Sequence, residues 1–299
     1  MAFTGKDVMA LREKTGAGIM DCKKALTDAD GDMSKAADLL RERGIAKAEK
    51  KASRIAAEGI VACYIEGKVG VMVELNCETD FVAKNPQFVE TATEIAKVVV
   101  KENPASVEAL LACACSEGTV EQLLKSKIAI IGEKIAVRRF ERFETAGFLK
   151  SYIHLGGKLG VLLDVNGDEA TAAEVAHDIT LQIAFTKPAY LCKDEVPADV
   201  VEKEKEILVT QIKNDPKLAN KPAQVIEKMV EGRIKKFYDE NCLMEQAFIK
   251  DDSKKVAELL KSANASINKF AFYVMGEGLE KKSEDLGEEV AKQVAAMQK

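Results

Sequence analysis

Histidine is scarce in this 299-residue chain, which holds only His154 and His177. A cysteine-dependent enzyme needs a histidine and an orienting group beside one thiol, and two scattered histidines offer little for that. The chain also lacks G-x-S-x-G, P-loop, strand-borne G-x-G-x-x-G and H-E-x-x-H segments, the usual marks of nucleophilic, phosphate-cradling, dinucleotide and zinc-peptidase chemistry. No apolar run approaches the ~20 residues that span a bilayer, and no charged-then-apolar signal pattern opens the sequence. A soluble cytoplasmic protein with no membrane partner is therefore expected. Basic residues are not in excess: 44 Lys and Arg against 49 Asp and Glu give a net charge of -5, which argues against direct nucleic-acid binding and for a folded protein partner or a small molecule. Seven cysteines, an odd number, lie scattered along helix-like and strand-like runs, the pattern of free thiols in a reducing compartment. Cys113 and Cys115 have no second Cys/His pair to complete a closed zinc site. Neither metal nor cofactor is expected.

What is present is modular. The length suits two or three domains. Residues 1–44 contain three short amphipathic helices: one capped by Thr4 and stopped at Gly16, one from Ile19 to Ala29, and one from Met33 to Arg43 closed by Gly44. Residues 45–55 are rich in Ala and Lys and are expected to form a linker, either a tether or a solvent-facing helix, rather than an RNA site, because phosphate binding takes several clustered cations.

The body beyond is duplicated. Gly59-Ile60-Val61-Ala62-Cys63-Tyr64-Ile65 is echoed by Gly147-Phe148-Leu149-Lys150-Ser151-Tyr152-Ile153, and Gly70-Val71-Met72-Val73 by Gly160-Val161-Leu162-Leu163. Each pair of runs predicts a hairpin, and a further strand, at 135–140 and 270–274, completes each copy. The expected fold is α+β: a three-helix module, then two subdomains (56–144 and 145–280) of antiparallel three-stranded sheet plus helices. An antiparallel helical hairpin is inserted at 198–238, and a helical segment is expected at 281–299. The two copies differ between second strand and following helix, where the second is about six residues shorter by the offsets of its matching residues.

Those extra residues hold Thr79, Asp80, Phe81 and Val82, an acid beside a large ring in what is expected to be an exposed loop. Asn85-Pro86 then starts a helix. A loop added to one of two similar scaffolds is not required by the scaffold, so a contact role is expected for it. Gly156-Gly157 forms a hairpin turn rather than a phosphate loop, since it joins two strands. His154 beside it is a candidate contact.

The residues alone leave three readings: a protein-binding regulatory factor, a cysteine enzyme, and a helical adaptor working through residues 4–43. Longer motifs add to them. Leu11-Arg12-Glu13-Lys14-Thr15-Gly16-Ala17-Gly18-Ile19-Met20-Asp21-Cys22-Lys23-Lys24-Ala25-Leu26 and Glu78-Thr79-Asp80-Phe81-Val82-Ala83-Lys84-Asn85 resemble the two signatures of the translation elongation factor Ts family. Tyr152-Ile153-His154, Leu243 to Asp251 and Gly276 to Lys281 match the same family in order, with Ala247 where the family usually has Pro. The resemblance implies a guanine-nucleotide exchange factor for the GTPase elongation factor Tu, making no bonds itself and needing no small-molecule substrate. It further implies a ubiquitin-associated-like amino-terminal module touching the GTPase through Arg12, Thr15, Gly16, Ala17, Gly18, Met20, Asp21 and Lys23. Phe81 is implied as a wedge near the GTPase's magnesium site, with Asp80 assisting, and His154, Gly156 and Gly157 as contacts of the second subdomain.

Overall fold

The computed structural model describes residues 3–218 and 221–280; the expected segment at 281–299 lies outside the described residues. The module comprises α1 (Gly5–Thr15), α2 (Ile19–Asp28) and α3 (Met33–Lys51). The first subdomain follows with β1 (Glu58–Glu66), β2 (Val69–Cys77), α4 (Asp80–Ala83), α5 (Pro86–Glu102), α6 (Val107–Ala112), the short strands β3 (Ala114–Cys115) and β4 (Gly118–Thr119), α7 (Val120–Ile131) and β5 (Ala136–Glu144). The second holds β6 (Phe148–His154), β7 (Leu159–Asn166), α8 (Glu169–Thr186), α9 (Ala198–Asn214), α10 (Ala223–Asn241), β8 (Ala247–Phe248), β9 (Asp251–Lys255), α11 (Val256–Ser262) and β10 (Ser266–Val274).

The duplication is plain in the sheets. Their orders are β1-β2-β5 and β6-β7-β10, antiparallel throughout, with the second strand of each copy in the centre. One face of each sheet is covered by a long helix, α5 in the first copy and α8 in the second. Side chains alternate across a strand, so β2 sends Val71, Val73 and Leu75 toward α5, where they meet the fully buried Phe88, Ile95 and Val99. Burying one such side chain is worth ~1.5–3 kcal/mol. Even the helix ends correspond: Asn85 and Asp168 cap α5 and α8 at their starts, and left-handed Asn103 and Lys187 close them.

The opposite faces of the two sheets meet each other. Val61, Met72, Phe143, Leu149, Leu162 and Tyr273 form the layer between them. Gly70 and Gly160, equivalent in the repeat, set the spacing: a Cβ on Gly160 would stand 2.4 Å from Val61 Cγ1, and one on Gly70 2.8 Å from Leu149 Cδ1. The two subdomains are thus one sandwich with helices outside. Away from it, α9 and α10 pair through Leu208, Ile212, Val230 and Ile234, as the expected helical hairpin.

One local expectation changes. The third helix does not close at Gly44 but continues to Lys51, so most of the linker takes the helical form of the two expected. Gly44 is there for packing: its Cα face lies against α7, and an added Cβ would come 2.9 Å from Ala129 Cβ. Lys51 then reaches the Gly132 carbonyl at the end of α7. Replacing Gly44 by leucine should therefore push α3 off α7, with a cost of ~1–3 kcal/mol typical of overpacking. Hydrogen exchange is the check: protection should fall along α3 and α7 and persist in β2 and β7, whereas unchanged protection on α7 would show slack at this contact.

Candidate partner-binding surface

The expected exposed loop at Asp80 is a single helical turn. Between Cys77 and Pro86 the chain makes α4, while the second copy passes from Asn166 to Glu169 with only Gly167 and Asp168 between. The turn is held from below. Thr79 caps it, its Oγ1 accepting from the Val82 N–H, and the buried Ala83 and half-buried Val82 pack on the first core. Glu133, just past α7, accepts from the Glu78 and Thr79 N–H groups at 3.1 and 2.9 Å and from Thr79 Oγ1 at 2.6 Å. Glu78 in turn accepts from the Lys134 N–H at 2.7 Å and pairs with Arg54 at 3.1 Å. So the backbone of residues 78 and 79 is fixed by a carboxylate 54 residues away.

On that base Phe81 points outward, 82% exposed. Its isolation matters, because a ring this open earns nothing from the chain's own core. Asp80 beside it pairs with Lys84 at 2.7 Å. That lysine, helped by the charge of Lys158, holds the Asp80 carboxyl below the usual carboxylate range, so it is anionic at neutral pH. An exposed i,i+4 pair is weak, and Asp80 can exchange Lys84 for another partner at little expense.

The fold brings the second subdomain's turn to the same neighbourhood. The β6–β7 turn lies over the start of β1: Val61 N–H donates to the Gly157 carbonyl at 2.7 Å, and Lys158 Nζ pairs with Glu58 at 2.6 Å. His154 is exposed, and its Nδ1 is hydrogen-bonded to the Tyr152 hydroxyl at 2.7 Å. His177 meets Tyr152 edge to face, with ring centroids 6.2 Å apart. Gly156 is exposed, but Gly157 is buried, and a Cβ there would sit 2.7 Å from Ile60 Cβ. Gly157 lets the turn close onto β1, while Gly156 stands open beside it.

In the module, the α1–α2 junction carries the expected residues. Thr15 Oγ1 donates to the Leu11 carbonyl at 2.7 Å, and Gly16 is the left-handed cap of α1, its Cα facing Ile130 of α7. Ala17 and Gly18 bridge to α2, whose first turn exposes Ile19 (46%) and Met20 (73%). Asp21 pairs with Lys47 of α3 at 2.9 Å, while Arg12 and Lys23 face solvent. Thr15 and Gly16 thus shape the junction, and Met20 is its most open apolar group. A cavity of about 580 Å³ lies behind this junction, between Thr15, Gly16, Leu40 and Gly44 on one side and Ala129 and Ile130 on the other.

Burial pushes Cys63 up to about 12 and, with the Glu133 charge adding, Cys77 also to about 12, and a thiol so raised is a poor nucleophile. Among the described residues no group of three or more His, Cys, Asp and Glu is placed to hold a metal ion. No described helix is long and apolar enough to cross a membrane.

Glu133, Glu58 and Lys158, which position the site, carry no local sequence signal, since their partners lie far along the chain. The recurrence of Gly160 at the place of Gly70 was the one clue that the two hairpins stack.

The family model described as Elongation factor TS matches residues 78–277, starting at the acid that opens the Phe81 turn. A protein of Paraburkholderia phymatum named Elongation factor Ts is 45% identical over 295 residues, 99% of this chain and 98% of its own. The protein of the same name from Cupriavidus taiwanensis is 46% identical over 298 residues, covering 100% and 99%. By the family model and by relatives matched along nearly their whole length, the chain belongs to the elongation factor Ts family.

Proposed function

We propose that this chain is the guanine-nucleotide exchange factor of elongation factor Tu: it binds the GDP form, disturbs the magnesium and phosphate site, and promotes GDP release during translation elongation in the cytoplasm. Family membership supports the role in translation elongation. The observation that carries the exchange mechanism is the open Phe81 ring on a pinned turn that the sister subdomain lacks.

An exchange factor accelerates release only by binding the nucleotide-free GTPase more tightly than the GDP form, and by linkage GDP weakens the factor's binding equally. Rigid presentation of Phe81 provides such a difference. The ring enters an apolar slot that exists in full only when the GTPase's magnesium side has shifted, and its burial of ~2–3 kcal/mol offsets that shift. Asp80 adds a fixed negative charge next to the magnesium ligands. His154, with the β6–β7 turn, and Met20, with the α1–α2 junction, hold the GTPase at two further places. None of these steps makes or breaks a bond, and none calls for a cofactor. Release of fluorescent GDP from purified elongation factor Tu tests the reading: adding the chain should raise the rate by orders of magnitude, and a rate equal to the spontaneous one would refute it.

A further inference from the structure

We infer that Leu155 is a second apolar anchor for the GTPase, kept at the tip of the β6–β7 turn in spite of its cost to the free chain. The inference rests on the exchange reading above and adds a residue to its interface.

Five described non-glycine residues have positive φ: Asp30, Asn103, Leu155, Lys187 and Asn264. Four of them terminate helices. Asn103 and Lys187 are the caps of α5 and α8, and Asp30 and Asn264 follow the last turns of α2 and α11. Polar residues, above all Asn and Asp, tolerate this left-handed region. Leu155 is the exception: an apolar residue at φ 48 in a hairpin turn, followed by Gly156 and Gly157 at φ 64 and 96. A branched apolar side chain crowds the backbone there, and glycine or asparagine would serve the turn better.

The chain recovers nothing for this strain. Leu155 is 74% exposed, so it fills no core. The surrounding structure nevertheless enforces the conformation. Gly157 and Lys158 N–H groups donate to the His154 carbonyl at 3.2 and 3.1 Å, Val61 N–H donates to the Gly157 carbonyl, and Met275 N–H to the Lys158 carbonyl at 3.0 Å. Strain that is over-determined by its surroundings and yields no internal gain points to a function outside the chain.

The location names the partner. Leu155 adjoins His154 and lies three residues before Lys158, which is fixed by Glu58 and whose charge is felt at Asp80. The turn that carries it is thus packed on β1, the strand that α4 with its Phe81 also contacts, and the occupant is an apolar patch of the same GTPase.

The test uses the full chain with Leu155→Asn and Leu155→Gly, binding purified elongation factor Tu. Both replacements suit a left-handed turn. Thermal stability should stay level or rise, while affinity for the GTPase falls about tenfold and the GDP release rate at saturating factor stays unchanged. Wild-type affinity in both variants would overturn the inference, as would a loss of affinity that parallels a loss of stability. Should sedimentation show that the wild type self-associates and the variants do not, with GTPase affinity intact, Leu155 serves a second copy and the inference also fails. Failure of the wild-type chain itself to release GDP would remove the exchange reading, whereas a working wild type with unaltered Leu155 variants removes only this anchor.

Discussion

Replacing Phe81 by alanine should slow catalysed GDP release by about 30- to 160-fold while leaving the fold intact. The magnitude follows from withdrawing ~2–3 kcal/mol of ring burial that is realised only when the GTPase's nucleotide site is distorted. Fold retention follows from the ring's position: at 82% exposed it contributes nothing to the first core, in contrast to Phe88, seven residues on, which is fully buried. Circular dichroism and thermal unfolding of Phe81→Ala should match the wild type. Stopped-flow release of labelled GDP separates the alternatives, because a wedge acts on the rate at saturating factor, whereas a simple binding contact changes only the concentration needed to reach it. An unchanged saturating rate would leave Phe81 as ordinary contact area.

The largest effect on stability is expected at Glu74. This residue sits in the central strand β2 and is fully buried, on the side that faces the second subdomain. Its carboxylate accepts from Arg138 Nη1 at 3.0 Å, Arg139 Nε at 2.7 Å and the Gly276 N–H at 2.9 Å. Arg139 also donates to the Val274 carbonyl at 3.2 Å and lies 4.0 Å over the Tyr273 ring. One acid therefore ties the first sheet to the end of β10, 202 residues away. Glu74→Leu would leave the Gly276 amide without its acceptor and take the shared carboxylate from two partly buried guanidinium groups, with a cost of ~3–5 kcal/mol as for other broken buried pairs. Denaturant unfolding should register that loss, and a change below ~1 kcal/mol would show the network to be dispensable.

The same carboxylate predicts an acid sensitivity. Burial by itself raises the Glu74 value, but the Gly276 amide, Arg138 and Arg139 together outweigh it and hold the group below its ordinary 4.5. A folded-state value below the unfolded one means that the stabilisation is fully present above about pH 4.5 and is lost as the pH falls through the folded value. The Glu74→Leu variant should lose this part of the acid dependence.

Much of the architecture was legible because it is local and repeated. The glycine-strand pattern recurs with its apolar spacing, so both hairpins, and the added residues ahead of α5, could be placed from matched offsets alone. Phe81 was found the same way, as an addition to one copy. What stayed hidden depends on long-range partners. Glu74 interrupts an apolar strand and makes sense only beside Arg138, Arg139 and Gly276. Glu133 shapes the Thr79 turn from across the subdomain. Gly44 has the local signature of a helix stop, and only the nearness of Ala129 turns it into a packing site. Leu155 leaves no pattern at all, since an unfavourable φ is invisible until the turn is built.

The central claim is that a rigidly held turn bearing Phe81 drives GDP off elongation factor Tu. Its most direct measurement is stopped-flow release of labelled GDP at saturating wild-type chain and saturating Phe81→Ala, side by side. Rapid release is expected with the first and a saturating rate lower by 30-fold or more with the second; equal saturating rates would show that Phe81 does not drive release.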